Sequence, residues 1–192
     1  MRETPIRRLT WLERELDRPV WAKLEQQQGS GSFKLRGAAH CLAQIPRDRT
    51  VVTASAGNHA LAVAEAAVAT GHHVVVCLPH NASAVKRSRL SGFPVAIVPV
   101  GDSLDEAAAH AQSLALEHGY EYVSPFDDER VVAGQAGVCA ELLEQVPDLE
   151  AIVVPVGGGG LLAGCLAAAS AVPCPPAVVG CQPTRFHPFA EA

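Results

Sequence analysis

Lysine is nearly missing from this chain. The sequence holds 15 Lys plus Arg, and lysine occurs only as Lys23, Lys34 and Lys86. Aromatic residues are scarce as well, at 5%. A basic face with interleaved aromatics is therefore absent, and the net charge of -5 points away from nucleic acid as a partner. Long apolar runs are lacking too. The longest, "LLAGCLAAASAV", falls short of the ~20 residues a membrane-crossing helix needs, so no membrane partner is expected. "MRETPIRRLTW" has no apolar h-region, and no secretory signal is expected. No CxxC pair occurs among Cys41, Cys77, Cys139, Cys165, Cys174 and Cys181. Free, mostly buried thiols in a reducing cytoplasm are the expectation, ahead of zinc or disulfides.

What remains is an aliphatic chain. Hydrophobic residues make up 48% and charged residues 18% of 192 residues, enough for a core in one or two domains. Short aliphatic runs alternate with Ala-rich amphipathic ones. "PVWAKLE", "TVVTAS", "HHVVVCLP", "FPVAIVPV", "AIVVPV" and "PAVVGC" read as strands. "FKLRGAAHCLAQI" reads as a helix, with Leu35, Ala38, Ala39 and Leu42 on one face. "HALAVAEAAVAT" reads as a second, stopped by Gly71. "DSLDEAAAHAQSLALEHG" starts with a capping box, Ser103 to Glu106, and stops at Gly119. Continuous strand runs predict an α/β fold of parallel sheets with helices on both faces. "EYVSPFDDERVVAGQAG" reads as an interrupted link, with a lobe boundary near Ser124. A doubly wound sheet rarely stops soon after a strand such as "AVVGC", so the larger lobe is expected to be incomplete.

Three loops could carry chemistry. In "SGSFKLRGA" (30–38) Lys34 follows a Gly-Ser run at the mouth of a helix. The positive end of the helix dipole and partial burial beside Phe33 both disfavour its ammonium form. A neutral lysine amine attacks carbonyls; the plainer alternative is a solvated first-turn lysine. In "TASAGNHA" a strand runs into a tight turn whose amides can bind a carboxylate or phosphate, unless Asn58 and His59 merely cap the helix. In "VVPVGGGGLLAG" four successive glycines precede a helix and can cup a phosphate; a plain flexible loop is the alternative. No Gly-Lys-Ser/Thr follows, which excludes a P-loop. The third glycine of a dinucleotide fingerprint is replaced by Leu162, and the later acid is missing. An amine, a carboxylate turn and a phosphate cup together suit pyridoxal phosphate and amino-acid substrates.

"SGSFKLRGA", "SAGNHA", "PFDD" and "PVGGGGLLAG", in this order, resemble the fold-type II pyridoxal-phosphate enzymes (tryptophan synthase beta-like), nearest to the threonine/serine dehydratase and serine racemase branch. The opening "TPIRRLTWLERELDRPVWAKLE" is similar to that branch as well. The resemblance implies two lobes, 1–49 with 125–192 and 50–124. It implies that Lys34 attaches the cofactor covalently and that Phe33 packs beside it. Asn58 would bond the pyridine 3-oxygen. Ser55, Ala56, Gly57, Asn58 and His59 would take the substrate carboxylate, with Gln135 nearby. Gly157, Gly158, Gly159, Gly160 and Leu161 would offer amides to the phosphate.

The activity so implied is that of an ammonia-lyase turning L-threonine or L-serine into a 2-oxo acid and ammonia. Racemisation needs a second acid on the far side of the substrate, where racemases of the branch carry Ser and this chain has Ala56. β-Replacement enzymes are further relatives, and an inactive cofactor-binding fragment is the rival of another class. Family members are usually homodimers. "GQAG" stands where "GQGT" is usual. Gln182 stands where the branch carries a metal-binding acid, and His72, His73 and His187 offer no replacement, so no metal site is expected.

Overall fold

The computed structural model of the protein describes residues 1–184, apart from the side chain of Lys86. Its centre is a four-stranded parallel sheet in the order β5-β4-β3-β6. The strands are β3 (Val51–Ala54), β4 (Val74–Leu78), β5 (Ala96–Pro99) and β6 (Glu121–Tyr122). Neighbouring residues of β3 face opposite ways. Val51 packs with α2 (Lys34–Leu42) and α3 (Asn58–Thr70), through Leu35, Leu42, Ala60 and Val63. Val52 packs with Ala107 and Ala111 of α5 (Leu104–His118) on the other side. Both faces of this sheet are thus covered, which is why its strands read as unbroken aliphatic runs. The cap of α5 forms as expected, because Ser103 Oγ accepts from the Glu106 N–H at 3.2 Å. Its returning arm lies one residue earlier than expected: the Glu106 carboxylate accepts from Asp102 N–H at 2.8 Å. A short helix, α4 (Ala84–Leu90), links β4 to β5.

The second parallel pair, β7 (Ala151–Pro155) with β8 (Ala177–Cys181), follows α6 (Glu129–Gln145) and flanks α7 (Gly160–Ser170). Here the burial alternates. Ile152 and Val154 pack on Cys139, Cys165 and Ala169, whereas Val153 is 69% exposed. Helices cover one face of this pair, where the sequence predicted two. The other face opens onto a groove lined by Leu12, Leu16, Trp21, Leu142, Val153 and Leu161, among others. Two elements escape the sequence reading here, β1 (Ile6–Arg8) and α1 (Thr10–Leu16). β1 pairs antiparallel with β2 (Trp21–Lys23).

The stretch read as a link is the clearest correction, because most of it is α6, a 17-residue helix. Its glycines mark close contacts rather than breaks. A Cβ on Gly134 would stand 2.5 Å from the Arg36 carbonyl oxygen of α2. A Cβ on Gly164 of α7 would stand 2.7 Å from the Ala136 nitrogen of α6. Gly164→Ala is therefore expected to lower unfolding stability by about 1–3 kcal/mol through overpacking. A urea titration reads this as a shifted midpoint with the slope unchanged.

One ionic network ties α2 and α6 to the N-terminal segment. Arg36 is 1% exposed. Its guanidinium pairs with Glu25 at 2.8 Å and with Glu141 at 2.5 Å, and Lys23 Nζ reaches Glu141 at 2.7 Å. Burial alone would raise the Glu141 carboxyl, but the hydrogen bonds from Arg36 and Lys23 hold it at about 2.

Candidate active site

Two of the three loops singled out in the sequence, those after β3 and β7, leave the carboxyl ends of parallel strands, where open α/β sheets form ligand crevices. Lys34 is the first residue of α2. Its Nζ donates to the carbonyl of Pro125 and lies 5.3 Å from the centre of the Phe33 ring. Burial lowers its pKa from 10.5 to about 8, so a useful fraction of the amine is neutral near physiological pH.

The turn after β3 comes next. Ser55 is buried, and its Oγ accepts from the Gly57 N–H at 3.1 Å. Gly57 caps α3 and Asn58 opens it. Ala56, Gly57 and Asn58 line a cavity of about 70 Å³ together with Leu61, Arg89 and Leu90. His59 points inward. Desolvation, and then the charge of Lys34, push its pKa down to about 3, so the ring is neutral. Its Nδ1 has no partner.

The segment after β6 is the hinge of the arrangement. Val123 N–H donates to Val52 at 2.9 Å, and Thr53 Oγ1 donates to the Val123 carbonyl at 2.8 Å. Two residues on, Pro125 meets Lys34. The next residue, Phe126, meets the glycine loop: a Cβ on Gly158 would fall 2.3 Å from its ring. Gly159 has φ +87°, a left-handed conformation that suits glycine, and it caps α7. Among the described residues, nothing accepts a hydrogen bond from the backbone N–H of Gly157, Gly158 or Gly159. Gly160 and Leu161 form the first turn of α7.

Lys34, Phe33 and the "PFDD" segment thus come together, with the glycine loop against Phe126 on one side and His59 on the other. Gln135 sits elsewhere. It is 0% exposed, inside the packing of α6 on α2, with its amide against Gly37. Neither polar atom of that amide has a partner. Pro125 and Phe126 were missed as contributors, although "PFDD" was visible as a motif, because a carbonyl oxygen leaves no signature in residue type. Ser30 and Ser32 were missed likewise; both hydroxyls beside the lysine are buried without a partner. His187 lies outside the described residues. Among those described, no cluster of three or more His, Cys, Asp or Glu is arranged for a metal ion, and no helix is long and apolar enough to cross a membrane.

Backbone amides without acceptors at the start of α7 are what a phosphate dianion requires. An amine held near neutrality is what an aldehyde requires. The residues fit a phosphorylated aldehyde, and they stand on an open α/β fold. Comparison with known proteins gives the family. Residues 1–192 match the model of the pyridoxal-phosphate dependent enzymes, and the chain belongs to that family. A catabolic L-threonine dehydratase of Staphylococcus aureus is 32% identical over all of this chain and 57% of its own length. The structure of a processed threonine deaminase isoform from Solanum lycopersicum superposes with a TM-score of 0.91 at 34% identity, covering 95% of this chain and 51% of that one. A maize serine racemase superposes at 0.90 with 31% identity, over 95% of this chain and 56% of the other. The chain therefore spans little more than half the length of these relatives.

Proposed function

We propose that this chain carries the cofactor-attachment and substrate-carboxylate parts of a threonine/serine ammonia-lyase. The observation that carries this reading is the buried Lys34 amine donating to the Pro125 carbonyl, one residue before the Phe126 ring that meets the glycine loop. In the reaction a 3-hydroxy amino acid loses its α-proton and its β-hydroxyl; after taking up water it ends as a 2-oxo acid and ammonia. Bound pyridoxal phosphate supplies an electron sink for the α-carbon.

The residues divide the remaining work. Amides of Gly157, Gly158, Gly159, Gly160 and Leu161 hold the phosphate. Phe33 packs against the cofactor ring and Asn58 bonds its oxygen. The loop of Ser55, Ala56, Gly57, Asn58 and His59 fixes the substrate carboxylate and so aims the α-hydrogen. Lys34 Nζ, neutral in part because it is desolvated, takes that proton. The Pro125 carbonyl orients Nζ by accepting its hydrogen bond. Gln135, packed against Gly37 one turn along from Lys34, is kept in this reading as a residue near the substrate. The division into lobes 1–49 with 125–192 and 50–124 belongs to the same reading, as does a homodimer. A cytoplasmic setting is supported by six cysteines that are all free.

Ala56 decides against racemisation, since a methyl group can neither give nor take a proton. With L-serine or L-threonine and pyridoxal phosphate, the product is expected to be a 2-oxo acid with little D-isomer. A coupled 2-oxo acid assay with chiral chromatography tests this. D-serine as the main product would overturn elimination as the reaction, and absence of both products would overturn the reading.

A further inference from the structure

The cavity of about 70 Å³ at the turn after β3 has one cationic wall, Arg89 of α4, opposite Ala56, Gly57 and Asn58. Arg89 makes no hydrogen bond or ion pair among the described residues, although the chain has 20 Asp and Glu to offer. Its neighbour Arg87 is engaged, donating to the His80 carbonyl at 2.9 Å. The helix that carries both arginines, "AVKRSRL", contains no acid. The rest of the cavity is small and apolar: Leu61, Leu90 and the Ala56 methyl. Arg89 is itself exposed, and its unpaired guanidinium at this cavity presents a planar fork to a carboxylate and little to a methyl or hydroxyl group.

We infer that Arg89 reads a second acid group on the substrate, and that the enzyme prefers 3-hydroxy amino acids with two carboxylates to threonine or serine. This rests on the reading that loop 55–59 takes the α-carboxylate. The loop then holds one acid, and Arg89, across the same cavity, holds the other. A substrate with a methyl group in that place leaves the guanidinium unpaired. The chemistry is otherwise that of the proposed elimination: the α-proton and β-hydroxyl leave, and uptake of water yields a dicarboxylic 2-oxo acid and ammonia.

The test uses the full chain loaded with pyridoxal phosphate. Isothermal titration compares succinate, with two acids, against butyrate, of equal length with one. Succinate is expected to bind tenfold or more tightly, the worth of one charge-assisted contact being about ten- to a hundredfold. Arg89→Leu is expected to erase the difference, and Arg89→Lys to keep part of it. In turnover, the ratio of kcat/KM for 3-hydroxyaspartate to that for threonine should fall by the same factor in Arg89→Leu. Equal binding of the two acids to the native protein, or a succinate preference that survives Arg89→Leu, would overturn the role of Arg89 and leave the carboxylate loop standing. Failure of both acids to bind would overturn the loop reading itself, and the inference with it. Circular dichroism and thermal melting of each variant separate lost binding from lost fold.

Discussion

Lys34→Ala is expected to abolish covalent capture of pyridoxal phosphate and to lower 2-oxo acid formation by at least about 10²–10⁴-fold, the span attributed to one positioned acid–base group. Two of its roles would go at once: attachment and proton removal. The expected effect is large because the described groups that could replace it are engaged or poorly suited. Lys23 is engaged by Glu141, Gln145 and the Thr4 carbonyl, all within 2.9 Å. His59, the other titratable group that feels Lys34, has a pKa pushed down to about 3 by burial, so it is a weak base and would become charged at a cost on taking the α-proton. The measurement is borohydride reduction of the loaded chain followed by peptide mapping. A label on Lys23 or Lys86 would sink the assignment.

The pH dependence follows with a definite sign. Burial lowers Lys34 from 10.5 to about 8. Its amine gains nucleophilic character as pH rises through about 8, two units before an exposed lysine does. Reaction of the free chain with an amine-directed reagent should therefore rise at Lys34 over that range. The same shift acts on stability: the folded state carries a charged, poorly solvated ammonium below pH 8, and that penalty is relieved between about 8 and 10.5.

Arg36→Met is expected to destabilise the chain by about 3 kcal/mol or more. Removing one partner of a buried ionic cluster leaves the others uncompensated, here the Glu25 and Glu141 carboxylates that Arg36 holds at 2.8 and 2.5 Å. The acid limb should change as well. The Glu141 carboxyl is lowered from 4.5 to about 2, so its contribution is complete above pH 4.5 and lost as pH falls from there toward 2. Without Arg36 that limb should flatten. Urea unfolding at pH 7 and at pH 3.5, for native and variant chains, measures both effects. An unchanged midpoint at pH 7 would show that the cluster does not hold α2 in place.

Much of this was legible before the structure. Three of the four strands of the central sheet, β3, β4 and β5, announced themselves as aliphatic runs, while β6 was read as part of the link; α2, α3 and α5 showed because Ala and Leu recur at helical spacing. The glycine loop and Lys34 stood out by residue type alone. Other parts were hidden for physical reasons. α6 looked like a link because Gly134 and Gly137 lower helix propensity, yet close packing against α2 demands a small residue and overrides that preference. α1 carries Leu12 and Leu16, which face the groove rather than a core, and Trp11 stays 64% exposed, so periodicity gave no sign of a buried face. The alternation along β7 could not be seen in "AIVVP", where exposed and buried positions are equally aliphatic. Pro125 and Arg89 contribute through long-range geometry: one lies 91 positions from the lysine it contacts, and the other meets its loop only across a turn of the fold.

The central sheet and the β7–β8 pair are not equivalent supports. The carboxylate loop hangs from β3, an interior strand with partners on both edges and helices on both faces. The glycine loop hangs from β7, which pairs only with β8 among the described strands and has one bare face. Local opening costs least where few apolar contacts guard the backbone. Amide protection should therefore be deep around Val52 and shallow around Val153, with loop 55–59 and the glycine loop fluctuating on unlike free-energy scales. A phosphate bound across the glycine loop would draw its sheet toward the rigidity of the other, so that cofactor capture doubles as the consolidation of the weaker half.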